Sequence, residues 1–267
     1  MTIFWKEWLN DEVINIYASL IADRSNNNND LPKVYAFNSF FYSTLSSNGY
    51  DRVKRWTKNK DIFENQIIIV PIHLSIHWCL VVIDLEERKM DYYDSLHQDN
   101  FECLELLQEY LINESMDKRQ IPLDMNGWQF NFLRVSISIS GSWTCSWFDF
   151  LTWTGSWACS PGKTQAREKP SKVKKCLDLD SGYRKTPRLG PGPARSLIDN
   201  ESTLIRFFCR GYAKNIPPQR NLSDCGVFSC LFAEYASRRA PITFTQEHIP
   251  YFRERIAYQI LRKELSV

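Results

Sequence analysis

Three residues of reactive type stand where local structure would activate them. His77 opens the run His77-Trp-Cys-Leu-Val-Val-Ile-Asp, Asp94 closes Met90-Asp-Tyr-Tyr-Asp-Ser, and Cys225 lies in Ser223-Asp-Cys-Gly ahead of an apolar stretch. A thiol nucleophile needs a base to take its proton, and the base needs an acceptor that fixes its tautomer. One residue of each kind is present, and their chain order is immaterial, because the same chemistry recurs on unrelated folds in several orders. At a helix N-terminus, Cys225 would have its thiolate stabilised by the helix dipole and the free N–H groups. Gly226 would let a substrate carbonyl approach the backbone, and Gln219 would offer a side-chain amide to an oxyanion. The chemistry these residues predict is nucleophilic acyl transfer.

Taken singly, each has a plainer reading. A histidine at a strand end is more often structural, an Asp-Ser pair often starts a loop, and a cysteine on a capped helix is often a buried apolar residue. Gln219 alone is a surface residue, and Cys230, further along the Cys225 helix, reads as core. The elements that carry the residues join them. Trp78–Asp84 and Lys89–Tyr93 read as strands, and the polar turn Glu86 to Arg88 makes them a hairpin. The end of one strand then lies beside the start of the other, which brings Asp94 to His77.

The remaining elements form an alternation of helix and strand. Val13, Tyr17, Leu20 and Ile21 share one helical face, with Asp11 and Glu12 in the first turn. Phe37, Phe40, Phe41 and Leu45 repeat the spacing, with Gly49 as a stop. Gln66–Val70 is a β-branched strand, and Phe101 to Glu114 returns to helical spacing. Cys225 to Ala236 is a helix, and Phe252, Ile256, Ile260 and Leu261 mark a closing helix with Pro250 in its first turn.

Composition bounds the rest. The 267 residues, 43% hydrophobic and 14% aromatic, can bury a sizeable core as one large domain or two small ones. A net charge of +2 is too small for nucleic-acid binding by bulk electrostatics. No apolar run approaches the ~20 residues that span a bilayer. Residues 1–12 lack a secretory layout, so a soluble intracellular protein is expected. The eight cysteines include no C-x-x-C pair, so no structural metal site is expected.

Composition also divides the chain into residues 1–130, 131–215 and 216–267. The middle part holds the crude repeat Gly141-Ser-Trp-Thr-Cys-Ser and Gly155-Ser-Trp-Ala-Cys-Ser, a basic run from Lys169 to Lys175, and a Gly/Pro-rich stretch around Leu189–Pro193. So long a loop is improbable inside a compact domain, and the segment is expected to be a disordered insertion or a translated intron.

The motifs resemble the SENP/Ulp group of SUMO-specific cysteine proteases. The resemblance rests on Trp8-Leu-Asn-Asp-Glu, Val70-Pro-Ile-His-Leu-Ser-Ile-His-Trp-Cys-Leu, Tyr92-Tyr-Asp-Ser and Asn126-Gly-Trp-Gln. It continues in Ile216-Pro-x-Gln, Ser223-Asp-Cys-Gly and Phe244-Thr-Gln-x-His-x-Pro-Tyr-Phe-Arg. It implies an α+β fold of the papain-like cysteine protease superfamily, with a central mixed sheet flanked by helices. It implies His77 as general base, Asp94 as its orienter, Cys225 as nucleophile and Gln219 as oxyanion donor. Trp8 and Trp78 resemble the tryptophans that roof the narrow tunnel for the modifier's Gly-Gly tail, with core packing as the plainer alternative. Cleavage after that tail, by deconjugation or precursor maturation, requires no cofactor. The expected setting is a monomer in the nucleus, with SUMO and SUMO-conjugated proteins as partners and neither nucleic acid nor membrane.

Two departures bear on activity. Family members carry further residues before the opening helix, where seven precede Trp8 here, so an N-terminally truncated domain is expected. The family also joins the Asn-Gly-Trp-Gln and Ile-Pro-x-Gln segments by a short connection, where this chain has the middle segment. The alternatives are a catalytically impaired SUMO-binding protein and a protease for another ubiquitin-like modifier.

Overall fold

The computed structural model describes residues 7–133 and 216–265. The chain divides into two units, and all the described residues fall in the one that comprises residues 1–137 and 205–267. The repeat, the basic run and the Gly/Pro stretch lie outside the described residues.

Helix α1, Asp11–Asn26, starts where the Asn10 side chain accepts the Val13 N–H, with Asp11 and Glu12 in its first turn. Strand β1 is Val34–Ala36, and helix α2, Phe40–Asn48, ends at Gly49, whose φ of 73° favours glycine. A short helix α3, Tyr50–Val53, leads to β2 (Ile67–His73), β3 (Trp78–Asp84) and β4 (Lys89–Tyr93). Then come α4 (Phe101–Arg119), β5 (Gln129–Leu133), α5 (Cys225–Ser237) and α6 (Ile249–Arg262). Residues 131–133, expected in the insertion, are thus part of the sheet.

Among the described residues, five strands form one sheet in the order β1-β2-β3-β4-β5. The outer pairs are parallel and the inner pairs antiparallel, which makes the sheet mixed. Both faces of β2 and β3 are covered, so these strands are continuous apolar runs rather than alternating ones. Trp78, Leu80 and Val82 enter one core with α1, α5 and α6, while Cys79, Val81 and Ile83 enter another with α2 and α4. At the outer side of β1, the Asn26 side chain accepts the Val34 N–H at 3.2 Å and donates to the Val34 carbonyl at 3.1 Å.

Two helical faces differ from those expected. Phe41 is fully buried and stacks on Phe37, but Phe40 is exposed, and Phe37 precedes the helix. On α6 the buried face is Ile249, Arg253, Ile256, Gln259 and Ile260, and Leu261 is 76% exposed. A buried arginine within that apolar stripe has consequences at the active site.

Candidate active site

His77 lies just before β3, in a tight turn from β2. Its backbone N–H donates to the Leu74 carbonyl at 3.2 Å, and its carbonyl accepts from Leu74 at 2.8 Å. The turn uses Ser75 at φ 58°, the left-handed region. The β3–β4 register ends with Leu80 opposite Tyr93, and the next residues outward on either strand are Cys79 and Asp94. The expected hairpin therefore delivers Asp94 to the imidazole, with His77 Nε2 2.7 Å from Asp94 Oδ1. The same carboxylate accepts the backbone N–H of Leu96 at 2.8 Å and that of Gln98 at 3.1 Å, which fixes its plane. An ionised carboxylate only accepts, so Nε2 carries the hydrogen, and Nδ1 is the basic nitrogen of the neutral ring. Burial opposes the charged imidazolium. The hydrogen bonds to Asp94, Cys225 and Cys79 together outweigh it, Asp94 contributing most, and the His77 pKa is pushed up to about 12.

Cys225 is the first residue of α5, as the sequence predicts, and its side chain is buried beside the His77 ring. The turn before it is held from a distance. Arg253 of α6 donates from Nε and Nη2 to Asp224 Oδ1 at 3.0 and 2.7 Å. The same Nη2 reaches the Ser223 carbonyl at 2.9 Å. Asn221 and Gln246 donate to Asp224 Oδ2 at 2.6 and 2.8 Å. The structure gives Gly226 a different reason from the expected one. A Cβ there would meet Leu9 Cβ at 2.9 Å and Trp78 Cδ1 at 3.3 Å, so its missing side chain makes room for the protein's own packing.

Trp78 is buried, stacks on His73, and donates its indole N–H to the Leu9 carbonyl at 2.9 Å. Trp8 is 44% exposed, with its neighbour Leu9 packed on Gly226. Gln219 is buried next to Ser95. Its backbone N–H donates to the Ser95 carbonyl at 2.9 Å, its Oε1 accepts the Ser95 hydroxyl at 2.7 Å, and its Nε2 donates to the Asn221 carbonyl. That leaves one amide hydrogen for another acceptor.

Cys79 went unremarked in the sequence, although a period of two sets it on the side of its strand that His77 faces. Its sulfur, a ring nitrogen of His77 and an Asp94 oxygen all lie within 4.8 Å of one another. Among the described residues these three could hold a metal ion, but burial holds Cys79 as a neutral thiol, and the other two bond each other. Burial likewise pushes the Cys103 and Cys230 thiols up, so both are inert core groups.

Residues 7–138 and 196–265, well over half of the chain, match the Ulp1 protease family, C-terminal catalytic domain. The chain belongs to that family. This Ulp1-family chain is 35% identical over 264 residues to the "Sentrin-specific protease" of Caenorhabditis elegans, which covers 99% of the chain and 26% of that relative. It is 40% identical over 268 residues to "Sentrin-specific protease 3" of Homo sapiens, covering 100% of the chain and 31% of the relative. It therefore spans between about a quarter and a third of the length of these curated relatives. The solved C-terminal Ulp1 protease domain in complex with Smt3, the yeast ortholog of SUMO, matches with a TM-score of 0.59 at 24% identity, covering 98% of this chain and 80% of that one. The Ulp1-type α+β fold is thus that of this chain. The family match runs past residue 130 and resumes before residue 216, so both flanks of the presumed insertion carry family sequence.

Proposed function

We propose that this chain is the catalytic part of a cysteine protease that cleaves after the C-terminal Gly-Gly of SUMO, releasing it from lysine or from a precursor tail. The observation that carries the reading is the 2.7 Å contact of Asp94 with a His77 ring that also faces Cys225. Membership of the Ulp1 protease family and the names of the sentrin-specific relatives support the choice of modifier.

In this reading Cys225 gives its proton to His77, and its sulfur attacks the carbonyl carbon of the terminal glycine. The spare Gln219 amide hydrogen stabilises the oxyanion. Collapse breaks the C–N bond, and the lysine amine leaves with the proton held by His77. Water, deprotonated by His77, then hydrolyses the thioester and restores the thiol. Trp8 and Trp78 flank the glycine tail, whose slimness lets it pass between flat aromatic walls.

The test is a SUMO probe with a C-terminal electrophile. Labelling that disappears in Cys225→Ala supports the reading; labelling that persists there, or folded protein that is never labelled, sinks it. Binding without turnover would move the assignment to a non-catalytic SUMO-binding protein. The same reading expects a nuclear monomer, supported by the family resemblance alone; imaging and sedimentation of the tagged chain test it.

A further inference from the structure

Residues 7–9 are fastened at three points, one each on α6, β3 and the first turn of α5. Arg253 Nη1 donates to the Glu7 carbonyl at 2.9 Å, and Trp78 Nε1 donates to the Leu9 carbonyl at 2.9 Å. The Leu9 side chain fills the space that Gly226 leaves. Trp8, between the fastened residues, stays exposed. The other nitrogens of the same Arg253 hold Asp224 and the Ser223 carbonyl, the two residues ahead of Cys225. One guanidinium, on a residue only 4% exposed, thus grips both the turn that aims the sulfur and the segment that carries Trp8.

We infer that Arg253 is a positioning residue that couples the placement of Cys225 to the seating of the modifier's tail along residues 7–9. It acts through Asp224 and Glu7. The inference rests on the protease reading above. The planar fork of an arginine is what the site requires, because three acceptors in different directions are met by three nitrogens of one rigid group. A lysine supplies a single nitrogen and satisfies Asp224 only by releasing the carbonyls. Asp224 Oδ2 is held independently by Asn221 and Gln246, so the lysine variant keeps a paired carboxylate. A sulfur displaced by about 1 Å costs roughly 100-fold in rate.

The experiment compares the full chain with Arg253→Lys and Asp224→Asn. It measures kcat and KM on SUMO joined through Gly-Gly to a fluorogenic amine, the rate of Cys225 alkylation by iodoacetamide, and the melting temperature. Arg253→Lys is expected to lower kcat and raise KM together, for a loss in kcat/KM of roughly 100-fold. Asp224→Asn, which weakens only the nucleophile's side of the clamp, is expected to lower kcat with KM nearly unchanged. A merely structural ion pair would lower the melting temperature and leave kcat and KM within about twofold at temperatures where the variants are folded; that result overturns the inference. Should Arg253→Lys not fold, Asp224→Asn decides alone, and an unchanged kcat there overturns the inference. If the unaltered chain hydrolyses no SUMO tail, the protease reading fails, and alkylation decides the clamp. Equal rates in wild type and Arg253→Lys would then reject it.

Discussion

His77 and Asp94 are 17 residues apart and meet because one hairpin has one register, whereas the turn before Cys225 is fixed by an arginine 29 residues downstream and by a segment at residues 7–9. The base side of the site is built from neighbours along the chain, so its geometry follows once two strands pair. The nucleophile side is assembled from three separated pieces, and its geometry depends on all of them docking. Disturbance of packing far from the sulfur should therefore reach Cys225 more readily than it reaches His77.

The comparison can be broken most severely at its two chemical ends. Cys225→Ala removes the nucleophile and should lower hydrolysis of a SUMO-tail substrate by roughly 10⁴-fold or more, with SUMO binding retained, as steady-state rates and calorimetry would report. Asp94→Asn should cost about 10²- to 10⁴-fold in kcat by losing the orienting anion. It also has a pH signature. Asp94 is the main group that raises the His77 pKa to about 12, against the cost of burial, so the alkaline limb of the rate should move to lower pH in the variant. A raised histidine pKa contributes stability that is complete below the unfolded value of about 6.5 and is lost as pH rises through the folded one. The melting-temperature gap between wild type and Asp94→Asn should thus be widest near pH 6 and narrow steadily as pH rises toward about 12. A gap that widens with pH would contradict the assignment.

Gly226→Ala probes the docked side. Its methyl would meet Leu9 and Trp78, and overpacking of this kind costs about 1–3 kcal/mol. Denaturant melts should show that loss, accompanied by a rise in KM as residues 7–9 are displaced. Cys79→Ala should have the smallest effect, a few-fold in kcat and a slight downward shift of the alkaline limb, because its thiol is a lesser contributor to the His77 shift than Asp94. If Gly226→Ala left KM untouched while Cys79→Ala were crippling, the distinction between the two sides would be reversed.

The sequence made the base side legible for a physical reason. Two consecutive strands joined by a short polar turn leave few registers, and one of them sets Asp94 at His77. Cys225 at the start of α5 was legible from the polar Ser223-Asp224 pair ahead of an apolar run, although the Asp224 side chain makes no capping bond to the helix. Strands β1 and β5 were harder, since three to five residues in parallel pairing carry little local signal and depend on partners far along the chain. The Arg253–Asp224 bond was hidden for the same reason, because a lone arginine on an amphipathic helix looks like a solvated one. Its spacing from Ile249, Ile256 and Ile260 was the signal available, since it falls on the buried stripe. The Gln219–Ser95 contact spans 124 residues, and no local pattern encodes it.

One small feature of the sheet has a bearing on how the molecule behaves in company. Unpaired N–H and C=O groups along a border strand are a template on which another chain's extended segment can add itself. Among the described residues β1 is a border strand, and Asn26 satisfies both groups of Val34 with one amide, as a neighbouring strand would. Replacing it by alanine should leave the active site untouched and increase light scattering from concentrated protein, as copies begin to zip together along β1.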